Sequence, residues 1–263
     1  MAGLPSWIIA IILAVAFELA MVAGWRLYRR LWRGRGEEGA SAGLGYVVSG
    51  SLGLLSLLIG FTLAMSLDRY EMRRALVVVE ANAISTVWLR DQVLDQPSRG
   101  RVQALLREYV KEREALPAVG AGSAALDAED RRTEALQASI WRETLAGLRS
   151  SDVLPFDTVV IQATNHMFDE PAERRAALDA DVPSPVLWVL VVVGLITAAL
   201  TGYGLASGRH RHRFASAGLF VAAALAITLI FELDEPWTGL IQVSQAPLDR
   251  VAASILSAPS GGN

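Results

Sequence analysis

The chain has 263 residues, 52% of them hydrophobic and 19% charged, with a formal net charge of −3. No bulk basicity points to nucleic acid, and the absence of cysteine excludes disulfides, thiolate metal sites and thiol catalysis. Mean hydropathy is positive, as expected of a chain that lives largely in lipid.

Basic residues are partitioned. Arg26, Arg29, Arg30, Arg33 and Arg35 form one cluster, and Arg209, Arg211 and Arg213 form another. Each lies between two apolar runs, and outside the polar middle block only Arg250 is added. Short cytoplasmic loops of membrane proteins collect Arg and Lys in this way. The N-terminal run has no basic leader and is interrupted by Glu18, so it reads as a retained span rather than a cleaved signal.

Four spans follow, each near the ~20 residues that cross a hydrocarbon core of about 30 Å. They are expected at about Ser6–Trp25, Leu44–Ser66, Pro185–Ala206 and Phe214–Leu233, with Trp7, Trp25, Trp188 and Trp237 as interfacial anchors. This divides the chain into four parts. Residues 1–66 hold spans 1 and 2, 67–183 an extracytoplasmic helical domain, 184–233 spans 3 and 4, and 234–263 an extracytoplasmic tail. With both arginine loops in the cytoplasm, the two termini and the helical domain lie outside a bacterial inner membrane.

The middle block reads as helical throughout. No Gly or Pro occurs between Phe61 and Gln96, so the second span continues as one helix to about Asp95. From Ser51 that is roughly 67 Å. Tyr70, Val77, Ala81, Ile84 and Trp88 give its projecting part an apolar stripe. Further helices are expected at about Pro97–Leu116 and Ala124–Arg149, and another carries Phe156, Val159, Val160, Ala163 and Met167. Pro171 either kinks that last helix or opens a new one. In the tail, Leu248, Val251, Ala252 and Ile255 mark a short amphipathic helix.

The fold class is therefore all-α, a polytopic membrane protein with a helical insert. No catalytic or phosphate-binding motif is present, so no enzyme, cofactor or metal site is expected. His210-x-His212 lies among arginines that repel cations and reads as a solvated loop, and His166 as a surface or core residue.

The spans carry stripes of small residues: Ser49, Gly53, Ser56, Gly60 and Ala64 in the second, Gly194, Ala198 and Gly202 in the third, Gly218, Ala222 and Ala226 in the fourth. Such stripes let helices approach closely, within or between subunits. The alternative for the second span is an ion path touched by Ser56, Gly60, Thr62 and Ser66. Glu18 is the one ionisable residue deep in a span, either hydrogen-bonded to a neighbouring helix or serving ion passage. Beyond the fourth span stand Glu232, Asp234 and Glu235, expected to pair with Arg69, Arg73 and Arg74 beyond the second.

Two stretches carry a family resemblance. One runs Gly60-Phe61-Thr62-Leu63-Ala64-Met65-Ser66-Leu67-Asp68-Arg69-Tyr70 and on through Arg73-Arg74 to Glu80-Ala81-Asn82-Ala83-Ile84. The other is Glu232-Leu233-Asp234-Glu235-Pro236-Trp237-Thr238-Gly239. Together they resemble the bacterial bestrophin-like membrane proteins, with Glu80, Asn82, Asp234, Pro236 and Gly239 as the motif positions. Bestrophins are oligomeric anion channels whose second span lines the pore. The resemblance therefore implies a homo-oligomeric ion channel in the lipid bilayer, with inorganic ions as its cargo and no nucleic acid as partner. The alternative is a non-conducting envelope sensor or scaffold with an outward helical domain.

Overall fold

The computed structural model describes residues 5–31, 41–119, 123–149, 154–206, 213–235 and 241–258. The expectations for Arg33, Arg35, Arg209, His210, Arg211 and His212 lie outside these, as do those for Pro236, Trp237, Thr238 and Gly239.

Eight α-helices and no strand occur among the described residues. They are α1 (Ser6–Leu31), α2 (Ser41–Arg90), α3 (Gln96–Val119), α4 (Ser123–Arg149), α5 (Leu154–Asp179), α6 (Ser184–Ala206), α7 (Arg213–Asp234) and α8 (Ala246–Ser257). Among the described residues, four helices are long and apolar enough to cross a membrane. Their apolar cores lie in α1, α2, α6 and α7, the four spans read from sequence. α2 is 50 residues long, roughly 75 Å. It ends in a 3-10 turn, Asp91–Val93, closed by the Leu94 amide donating to the Asp91 carbonyl at 3.0 Å. Pro97 follows at the second position of α3, where its missing N–H costs nothing. Pro171 neither breaks α5 nor opens a new helix, since α5 runs through it to Asp179.

The chain forms two compact units. The first comprises residues 1–70 and 181–241, and holds α1, the first part of α2, α6 and α7. Phe17, Met21, Leu190, Ala198, Phe220, Ile227 and Ile230 are its buried centre. Lipid tails are as apolar as these side chains, so close packing rather than water exclusion holds such helices together. The glycines show where. A Cβ on Gly24 would run into the Ala199 carbonyl, and one on Gly202 into the Met21 carbonyl. Gly194 sits 2.8 Å, measured from an added Cβ, from the ring of Phe17. The small stripe of the third span thus serves α1–α6 contact inside one subunit. In α7, by contrast, an added Cβ on Gly218 meets nothing within 4 Å.

The second unit comprises residues 71–180 and 242–263. The remainder of α2 packs with α3, α4, α5 and α8 around Val77, Ile84, Leu106, Tyr109, Ile140 and Met167. α8 buries Leu248, Ala252 and Ile255, three of the four residues expected of its apolar face, and Val251 packs beside them. Its end is held by Arg107, which donates to the Ala258 carbonyl at 3.1 Å.

Candidate functional site

α2 has two unlike faces. At 100° per residue, Leu55, Thr62, Ser66, Arg73, Val77, Glu80, Ile84 and Asp91 fall in one row, all within roughly 40° of Leu55. Every one of them is buried. A second row, roughly 100–200° away, holds Ser49, Gly53, Ser56, Gly60, Ala64, Leu67, Glu71, Val78, Asn82 and Leu89. Every one of these is exposed. An added Cβ on Gly43, Gly45, Gly50, Gly53 or Gly60 would meet no atom within 4 Å. The glycines of α2 therefore do not serve contact within the subunit, unlike those of α1 and α6.

This division corrects part of the sequence reading. Ser56 and Gly60 are on the exposed row, but Thr62 is 4% exposed and Ser66 is fully buried. The Thr62 hydroxyl donates to the Leu58 carbonyl one turn earlier at 2.8 Å, so it is spent on its own helix. Neither hydroxyl can touch a path on the open side of α2. Arg73 is also turned inward. Its guanidinium donates to the Ala177 carbonyl at 3.0 Å and the Ala180 carbonyl at 2.9 Å, at the C-terminal end of α5. A cation there complements the helix dipole and caps free carbonyls. Arg74 is the arginine that stays on the surface, 3.6 Å from Glu71, and Arg69 is half-buried.

In the first unit, Glu232 and Asp234 are buried near the end of α7. An Asp234 carboxylate oxygen accepts from the Val182 amide at 2.8 Å, which fixes the strap that leads into α6. Glu235 is half-buried. Glu18 is half-buried in α1, and its Oε1 is enclosed without a hydrogen-bond partner among the described residues.

Glu80 organises the second unit. One carboxylate oxygen receives Arg113 Nε from α3, and the other receives an Arg174 nitrogen from α5 at 2.6 Å. Arg113 also binds Glu129 of α4, whose carboxylate takes the Thr133 hydroxyl at 3.0 Å. Arg174 reaches on to the Gln245 side chain at 2.6 Å. Two glutamates and two arginines thus neutralise one another at no more than 6% exposure each. Burial raises the Glu129 carboxyl, with Arg113 opposing. Burial lowers the Arg174 guanidinium, with Glu80 opposing. For Arg113 burial acts downward too, but Glu80, Tyr109 and Glu129 outweigh it and hold the guanidinium above its ordinary range. Asn82, the other motif residue of α2, lies on the exposed row. His166 is exposed, 3.1 Å from Glu170. Among the described residues no three His, Asp or Glu groups come together as a metal site would require.

One buried carboxylate stands apart. Asp91 is fully enclosed, and neither of its oxygens has a hydrogen-bond partner among the described residues. Burial pushes its carboxyl up to about 7.

Comparison with known proteins agrees with this architecture. A variant of a bacterial bestrophin homolog from Klebsiella pneumoniae superposes with a TM-score of 0.72 at 12% identity, over 94% of this chain and 97% of that one. Another variant of the Klebsiella pneumoniae homolog gives 0.71 at 14% identity, over 95% and 97%. A structure described as a membrane protein gives 0.72 at 12% identity, over 97% and 99%. At such identities the likeness speaks for the fold. No curated protein matches the sequence. The family description of the Bestrophin-like domain matches residues 11–248, and on that match the chain belongs to the bestrophin-like family.

Proposed function

We propose that the protein is a homo-oligomeric ion channel of the bacterial inner membrane, with the exposed row of α2 lining or bordering the path. The observation that carries this reading is the face of α2. It is the longest helix and the span least buried inside the chain. From Ser49 to Ala64 its exposed side carries Ser49, Gly53, Ser56, Gly60 and Ala64 beside the larger Leu54, Leu57 and Phe61. A span with glycines facing nothing, beside α1 and α6 whose Gly24, Gly194 and Gly202 are used for contact, fits a surface completed by further copies around an axis. Ser56 and Gly60 are the residues proposed to touch the path.

Purified protein in liposomes should pass ions, and Gly60→Leu or Ser56→Leu should cut the flux several-fold. Thr62→Val, on the buried row, should leave it nearly unchanged. Vesicles that pass neither anions nor cations across a wide pH range would sink the proposal.

The orientation proposed is the one with α1's arginine end in the cytoplasm and α3–α5 outside. The cysteine-free chain allows a direct check. A cysteine placed at exposed Ala138 should react with an impermeant thiol reagent in intact cells. Labelling only after lysis would reverse the topology.

A further inference from the structure

In the second unit α4 packs closely on α3 but touches α5 at few places. A groove of about 400 Å³ runs between α4 and α5, walled by described residues of both helices. Pro171, Ala172 and Ala176 give it a narrow apolar floor, with Phe168 towards one end. Its walls are acidic. Asp130 and Glu134 stand on the α4 side and Asp179 on the α5 side. Asp169 and Glu173 are exposed one position beyond the lining residues Phe168 and Ala172. The basic group in the lining, Arg175, is already shared among Asp179 at 3.1 Å, Asp130 at 3.6 Å and Asp127 at 3.9 Å. The groove is thus a strip of negative potential over a small apolar floor, and it suits a slim guest with cationic ends.

The same chain carries such a guest. Arg131, Ala135, Ser139, Arg142 and Ala146 follow one another at three- and four-residue steps along the outward side of α4. Arg132 beside them is taken up by Glu112 at 3.2 Å. Arg131 and Arg142 are exposed, and neither pairs with a described carboxylate. They are roughly 16 Å apart along the helix, against roughly 15 Å between Asp169 and Asp179 on the groove's rim. The small residues between them let the ridge come close to the floor. This ridge lies roughly 150° round α4 from the groove wall, so a chain cannot seat it in its own groove. We infer that the α4–α5 groove receives the α4 ridge of a second copy of this chain. One α4 then serves as wall on one face and as guest on another. Each copy gives its ridge to one neighbour and takes the ridge of another, the head-to-tail kind of contact that closes into rings. The inference rests on the homo-oligomer proposed above and on nothing about conduction.

The absence of cysteine makes the contact directly testable. Ala135→Cys and Ala172→Cys are made in separately tagged full-length chains and expressed together, so that only contact between copies can join them. Mild oxidation of the membranes should give a dimer carrying both tags. R131E/R142E in the Ala135→Cys chain, or E134R/E173R in the Ala172→Cys chain, should cut its yield several-fold by setting like charges face to face. The two reversals together should restore it. All four positions are exposed, and each variant should melt like the parent. The oligomer is sized separately by native mass spectrometry. An intact oligomer that gives no mixed dimer, or a dimer indifferent to both reversals, overturns this contact and leaves the homo-oligomer standing. A protein that is a single copy overturns both.

Discussion

Replacing Asp91 with Asn should stabilise the protein, and only above mildly acidic pH. Asp91 is wholly enclosed at the end of α2, with no partner for either oxygen among the described residues. In the unfolded chain its carboxyl titrates near 3.8, whereas in the folded chain burial has raised it to about 7. Between those values the folded state keeps a proton that the unfolded state has lost. Stability therefore falls as pH rises through this interval, by about 1.4 kcal/mol per unit and roughly 4 kcal/mol in all, and is level above it. Asparagine has nearly the same shape and carries no charge at any of these pH values. At pH 4 the variant and parent should melt together. At pH 8 the variant should melt higher by on the order of 10 °C. Thermal unfolding of detergent-solubilised protein, followed by circular dichroism at pH 4, 5.5, 7 and 8, reads the difference directly. A gap that is the same at every pH, or a parent that outlasts the variant at pH 8, would refute the account of Asp91 as an uncompensated buried acid.

Three further outcomes follow from packing. Glu80→Ala strands Arg113 and Arg174 in the interior of the second unit, and should cost about 3–5 kcal/mol in unfolding free energy by denaturant titration. Gly202→Ala places a methyl against the Met21 carbonyl and should lower the melting temperature, while Gly53→Ala, in open space, should leave it nearly unchanged. Leu248→Ala removes the first anchor of α8 from the core and should cost about 2–5 kcal/mol, with faster hydrogen exchange over Ala246–Ser257.

Much of the fold is legible in the sequence because its strongest signals are local. The unbroken run after Phe61 announces α2, and Val77, Ala81 and Ile84 announce its buried side, at steps of three and four. The failures are instructive in the same terms. Thr62 and Ser66 suggest a polar path because they carry hydroxyls, yet a helical hydroxyl is readily satisfied by the carbonyl one turn back, as at Thr62. Arg113, Glu129 and Arg174 look like ordinary charges on solvated faces, and their common partner or bridge, Glu80, is distant in sequence. The available clue is the register of α2 itself. Arg73 and Glu80 fall in line with Val77 and Ile84, so these charges have to enter the interior, and buried charges demand partners. The α6 glycines are half legible. Their spacing foretells close approach, but only the structure identifies α1 as the neighbour.

The buried row of α2 also constrains how this helix can move. Turning it about its own axis by even one residue's angle, roughly 100°, would pull Glu80 off Arg113 and Arg174 and tear Arg73 from the end of α5. The helix is keyed like a shaft in a slot. Within the second unit, rotation of α2 in place is therefore opposed by its buried charges.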